Sequence, residues 1–196
     1  MFAAMSVHAV PLWQQFNARA EHERWPAICD PSLRFDAPVL VEILAKWRGA
    51  TLGLPMPRRS ALTTRVLGEH LKDVAIVDYI EPKAGPRRYR FRLQGRGLAR
   101  MRGDFGGKFV DEVVPPKLAV TWTFAFDTVL QHGQPLRFVA HHTLFDRGPL
   151  TAETLAAPLS DPHGVPCSVL TAIAYSPVES VTHDRTGSEE AALAGL

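Results

Sequence analysis

The chain has 196 residues, 46% of them hydrophobic and 21% charged, with a formal net charge of +2. That lies in the ordinary globular range and is long enough to bury roughly two-thirds of the unfolded surface, so one domain with extensions is expected. No apolar run approaches the ~18–20 residues of a membrane helix. Met1–Trp13 has neither the basic start nor the apolar stretch of a targeting segment, and Cys29 and Cys167 have no CxxC or Cys/His spacing beside them. The expectation is a cytoplasmic protein without a disulfide framework, structural zinc or membrane partner.

Pro11 to Arg24 suits a short helix with Trp13, Phe16 and Ala20 on one side. Pro26, Pro31 and Pro38 then break the chain, so residues 1–38 are expected to form an amphipathic arm, free to pack on its own sheet or on a partner subunit. Asp36 is expected to cap the next helix, where Leu40, Ile43, Leu44 and Trp47 recur at helical spacing, Glu42 and Lys46 pair at i, i+4, and Gly49 ends the run. Gly53–Ser60 is extended because of its prolines, and a helical turn is expected near Arg65–His70. Val74–Glu81 is a β-branched strand. After a turn over Pro82–Pro86, Arg88–Leu93 alternates cation with apolar residue, placing Tyr89, Phe91 and Leu93 inward and Arg88, Arg90 and Arg92 outward on an edge strand.

A short helical piece follows at Leu98–Met101, then a glycine-bearing loop through Gly106 and Gly107. Pro115 and Pro116 open a long helix to about Gln131, with Leu118, Trp122, Ala125, Phe126 and Val129 as its apolar stripe, broadened by Val120 and Phe124, and Gly133 as its stop. Leu136–Asp146, Thr151–Leu159 and Cys167–Tyr175 read as three strands joined by turns at Asp146–Pro149 and Asp161–Gly164. Residues 39–177 thus form the domain, and the polar tail 178–196 is expected to be loose. Two strands, helices, then three strands joined by tight turns indicate an α+β fold with an antiparallel sheet.

This order resembles the PAS fold. The residues also resemble a family of small bacterial single PAS-domain proteins, mostly of unknown function, over about Val39–Tyr175. The marks are the helix end Trp47-Arg48-Gly49, the connector Leu54–Arg59, the strand Arg88–Leu93 leading to Gly95, the loop Arg102–Phe109, and Ala157–Asp161 before a glycine turn. Gly106 stands where the family pattern has threonine. The resemblance implies a five-stranded antiparallel sheet in the order 2-1-5-4-3 with helices packed on one face. It further implies a pocket between helices and sheet, dimerisation through the N-terminal helix by Trp13 and Phe16, and regulatory rather than chemical work.

Individual motifs assign no cofactor. Gly95-Arg-Gly-Leu-Ala-Arg100 superficially suits a dinucleotide loop, but Arg100 replaces the third small residue and no βαβ unit follows. His141 and His142 point to opposite faces of a strand and cannot share a metal. A haem would need His132, at a helix end beside Gly133, and the Asn-Cys-Arg-Phe motif of flavin-binding relatives is missing. Ser160, Asp161 and His163 read as turn chemistry, not a triad.

The candidate site is therefore the sheet–helix interface, with Tyr89, Phe91, Leu93, Leu155 and Leu159 of the sheet facing Trp122 and Phe126. Stripes of large side chains commonly just pack, so a filled core stands beside a ligand cavity as the reading. If a cavity exists, Tyr89, His142 and Thr171 are its polar anchors. The expected function is a stand-alone sensory or regulatory homodimer that binds a small molecule or a signalling protein and has no catalytic output. The first alternative uses Arg88, Arg90, Arg92 and Arg96 to hold nucleic acid or an acidic surface, because residues 83–108 carry nine cations against Asp104 alone. A small-molecule isomerase or hydrolase ranks last, for want of paired carboxylates or nucleophile–base spacing.

Overall fold

The structure, a computed structural model, describes residues 9–81, 85, 87–144 and 148–177; the side chains of residues 142–144, 148 and 149 are not among those described. The tail 178–196, the side chain of His142, and the turns expected at Pro82–Pro86 and Asp146–Pro149 therefore lie wholly or partly outside it. The chain begins with helix α1 (Leu12–Glu23), strand β1 (Ala27–Asp30), helix α2 (Pro38–Gly49) and the short helix α3 (Thr64–Leu67). Strands β2 (Val74–Ile80) and β3 (Arg88–Gln94) come next, followed by helices α4 (Arg96–Arg102), α5 (Val110–Val113) and α6 (Pro116–His132). Strands β4 (Leu136–Leu144), β5 (Gly148–Ser160) and β6 (Pro166–Pro177) complete the sheet. None of the described helices is long and apolar enough to cross a membrane.

The sheet is antiparallel, in the order β1-β4-β5-β6-β2-β3. The five expected strands keep the implied 2-1-5-4-3 order, and the PAS-like α+β architecture stands. Two details are corrected. The strand count among the described residues is six, because Ala27–Asp30 pairs with β4; four residues between prolines are too short to show a period in sequence. Helices also cover both faces, not one: α1, α4, α5 and α6 build one apolar cluster, and α2 and α3 build another across the sheet. The inner strands β5 and β6 are buried on both sides, so a single helical layer would leave apolar surface in water.

The N-terminal segment is integrated into this chain. Phe16, 1% exposed, packs edge-on to Phe138 with ring centroids 5.0 Å apart, a burial that contributes about 1.5–3 kcal/mol. Asn17 clasps β1 through both amide atoms, accepting from the Cys29 N–H at 2.7 Å and donating to its carbonyl at 2.9 Å. Burial and the nearby Asp30 push the Cys29 thiol up to about 12, making it a packing residue rather than a nucleophile.

Helix α2 is seated by Trp47, whose indole N–H donates to the Pro158 carbonyl at 2.9 Å. The expected Asp36 cap is not made, and the Asp36 side chain is 96% exposed. Instead the buried Glu153 carboxylate of β5 accepts the Asp36 and Ala37 N–H groups at 3.0–3.1 Å, a charge-assisted bond at the positive end of the helix dipole. Arg137 of β4 then ties Glu153 (2.6 Å), Asp30 (3.0 Å) and Asp36 (3.4 Å) together. Burial pushes the Asp30 carboxyl up, but the Ser32 N–H and hydroxyl together with Arg137 outweigh it and hold it below the usual carboxylate range.

A bulge in the β2–β3 pairing places side chains of one strand on both faces. Ile76 pairs with Leu93 but Val77 pairs with Phe91, leaving Arg92 as the extra residue. Phe91 consequently joins the α6 side and Leu93 the α2 side, correcting the uniform inward set expected for Tyr89, Phe91 and Leu93. Gly95 and Gly97 have a packing role: a Cβ on them would lie 2.2 Å from the Leu71 carbonyl oxygen and 2.7 Å from that of Lys72. They let α4 abut the 3-10 turn Gly68–Asp73, which explains the glycine pair without a nucleotide.

Arg137→Met is expected to lower unfolding free energy by about 3 kcal/mol, because Glu153 is left buried with an unneutralised charge. Urea denaturation measures this, and a loss below about 0.5 kcal/mol, the value of an exposed pair, would contradict it.

Candidate functional site

The site follows from which side chains each strand turns toward α6. Cross-strand pairing lays them out in rows. Ala27, Ala140, Ala152 and Tyr175 form one row across β1, β4, β5 and β6. Phe138, Thr154 and Ile173 form the next, and Leu136, Ala156, Thr171, Ala75 and Gln94 the one after. The floor beneath α6 is therefore largely alanine and threonine. Above it α6 contributes large rings that cannot descend to fill the alanine positions. Trp122 and Phe126 lie 6.5 Å apart, and Phe91 stands edge-on to Trp122 at 6.3 Å.

Between floor and roof lies a cavity of about 120 Å³, partly open to solvent, with mostly apolar walls. Its size is close to the ~150 Å³ apolar void that accepts benzene in a protein core, and well below the ~300–1,000 Å³ of pockets for drug-sized ligands. The N-terminal segment contributes to its walls through Phe16, Pro26 and Ala27.

One end of the cavity is polar. Arg102, the last residue of α4, is the only charged side chain in its walls among the described residues. The guanidinium lies 5.2 Å from the Trp122 ring centre and 5.5 Å from that of Tyr175, and its Nε donates to the Tyr175 hydroxyl at 2.7 Å, with Nη2 on the same oxygen. It has no carboxylate partner among the described residues. The loop after it is stitched to the edge of β3: the Gly107 N–H donates to the Phe91 carbonyl at 2.8 Å, and Phe91 donates to the Lys108 carbonyl at 3.0 Å. Gln94 accepts the Phe105 N–H at 2.6 Å and donates to the Gly103 carbonyl at 3.0 Å. These bonds hold Phe105 against Phe91 in the cavity wall.

Four of the expected pocket residues, Phe91, Trp122, Phe126 and Thr171, line this cavity. Tyr89 does not: it is 1% exposed, and its hydroxyl donates to Asp127 at 2.7 Å, away from the void. Burial and the Asp127 carboxylate push that phenol well above its ordinary range. Leu155 and Leu159 belong to the α2 side, because β5 is buried on both faces and its larger residues point away from α6. His142 lies outside the described side chains. Trp13 packs partly buried against the α6-side cluster of its own chain and Phe16 is fully enclosed there, so the arm lies on its own sheet, one of the two placements expected of it, and Phe16 is not presented to a partner. Asp161 accepts the His163 and Val165 N–H groups at 2.8 and 3.0 Å, a turn geometry. Among the described residues no cluster of His, Cys, Asp and Glu could hold a metal.

The basic strand is largely engaged within the chain. Arg88 meets Asp111 at 2.9 Å and Glu112 at 3.4 Å and lies 3.6 Å over the Phe109 ring, while Arg92 reaches the buried Asp78 at 3.4 Å. Arg90 and Arg96 are exposed and carry no ion pair among the described residues. Sequence reasoning missed Arg102, Tyr175, Gln94 and the alanine floor as site components. Arg102 and Gln94 lay inside a cation-rich stretch without a distinguishing period, and alanines carry no signal of a void.

The model of the family described as PAS domain matches residues 35–174. Among solved structures the chain is similar to an RNA-binding Light-Oxygen-Voltage receptor, at 12% identity and a TM-score of 0.38, covering 76% of this chain and 38% of that one. It is also similar to a variant of RsLOV, at 12% identity and a TM-score of 0.36, covering 76% of this chain and 73% of that one. The chain thus spans well under half the length of the first of these structures. No curated protein matches it.

Tyr89→Phe is expected to cost about 1 kcal/mol, the net value of one hydrogen bond, without changing what the cavity binds. Chemical denaturation alongside a ligand titration tests both halves. A ligand affinity that changes with this substitution would return Tyr89 to the site.

Proposed function

The chain belongs to the PAS domain family, and on that premise we propose that it is a sensory domain that takes up one small, mainly apolar molecule between its sheet and α6. The cavity of about 120 Å³ carries this reading, since it lies where the alanine floor meets the aromatic roof. A ligand there touches α6, α4 and the N-terminal segment at once, and its binding energy can therefore bias how these elements sit on the sheet. Output through a partner protein, in the cytoplasm and without catalysis by this chain, completes the proposal. Self-association would use surfaces other than Phe16, and the outward face of α1, with Gln14, Gln15, Ala18 and Arg19, lacks an apolar patch.

Reading the basic strand as a nucleic-acid or acidic-surface site has less support, because Arg88 and Arg92 already have carboxylate partners. A ligand competing for them must first displace those partners, leaving Arg90 and Arg96 as the available cations.

Thermal melting with toluene, a probe matched to the cavity's size and polarity, tests the proposal. At about 100 times its Kd, toluene is expected to raise the Tm by about 5–10 °C. Ala156→Leu, which adds three carbons to the floor, is expected to abolish the shift while folding normally. No shift in the parent protein, or an equal shift in the filled variant, would contradict the proposal.

A further inference from the structure

We propose that the molecule held in this cavity carries an anionic head, most simply a carboxylate, bound at its polar end by Arg102, whose guanidinium Tyr175 holds in place. The inference rests on the cavity reading above and adds the chemical class of the ligand.

A cation in an apolar wall loses hydration and ordinarily needs a counter-charge to offset that loss. Arg137, the half-buried cation of β4, follows this rule and meets three carboxylates. Arg102 does not, among the described residues. Two residues hold its guanidinium in place without a carboxylate: Tyr175, through its hydroxyl and ring, and Trp122, through its ring. Such a group is fixed in position by packing, while its full charge remains available to a ligand.

The donor inventory agrees. Guanidinium offers five N–H donors, and a carboxylate accepts two of them side by side. Nε and Nη2 bond Tyr175, whereas Nη1 makes no hydrogen bond among the described residues. The Tyr175 oxygen accepts from Arg102, and among the described residues its own O–H donates to none. The guanidinium therefore brings unused N–H donors to one end of a cavity whose mostly apolar walls include Ala152, Ala156, Phe91, Trp122 and Phe126. The volume accommodates about one benzene ring. A ring or short branched chain ending in a carboxylate satisfies both regions at once, whereas a multiply charged acid would place its second charge against alanine and phenylalanine.

Calorimetric titration of the full chain with benzoate, benzamide and toluene tests this. Benzoate is expected to bind at least about tenfold more tightly than benzamide, the margin of a charge-assisted over a neutral hydrogen bond. Arg102→Gln should erase that margin, so that benzoate and benzamide bind alike. Should the variant fold poorly, the benzoate–benzamide comparison on the unmodified protein decides alone, with Tyr175→Phe expected to weaken benzoate severalfold. Benzoate binding no more tightly than benzamide would overturn the anionic head while toluene binding preserves the cavity reading. If none of the three binds, both fail together.

Discussion

The candidate site depends on a mismatch of side-chain size between two facing surfaces. Where α6 brings Trp122 and Phe126 to the sheet, the strands answer with Ala75, Ala140, Ala152 and Ala156. Interiors ordinarily interdigitate large against small so that no void of this size persists. Here the roof is stiff, because its rings also brace one another and Phe91. The floor is equally fixed, since each alanine sits in a paired strand. Neither side can collapse onto the other without unmaking the sheet–helix contact.

Three devices keep that mismatch open, each in a different part of the chain. The bulge at Arg92 lets Phe91 face the cavity while Leu93 serves the opposite core, so one edge strand supports both layers. The loop 103–109, bonded along that edge, supplies Phe105 and orients the end of α4 that bears Arg102. At the far side, β1 extends the alanine row and is held by Asn17 and by the Arg137 cluster. The same Arg137 cluster supports α2 across the sheet through Glu153, so the two faces are mechanically joined at this edge. Under the proposed sensory reading, this shared edge is what joins the ligand's face of the sheet to α2 on the other.

Much of the architecture was legible in the sequence because it is written in strong periods and breakers. The α2 stripe of Leu40, Ile43, Leu44 and Trp47, the proline start and glycine stop of α6, and the cation–apolar alternation of β3 each fixed one element. The relation between elements was less legible. Strand β5 is buried on both faces, so alternation could not say whether Leu155 or Ala156 faced α6, and choosing the larger residue put Leu155 and Leu159 on the wrong side. Proline spacing suggested a detachable arm, whereas Phe16 and the Asn17 clasp are tertiary contacts with no local signature. Arg102 was visible only as one cation among nine. What sets it apart is its place in the cavity wall without a carboxylate partner among the described residues, a property of space rather than of sequence.

Whether the interface beneath α6 is hollow and apolar is the claim on which the rest stands, and xenon reads it directly. A crystal of the protein held under xenon pressure is predicted to show one ordered atom among Ala152, Ala156, Thr171 and Trp122, as apolar voids of this size take up xenon. The same map with no xenon there, and with Trp122 or Phe126 rotated down against the alanine floor, would contradict the account.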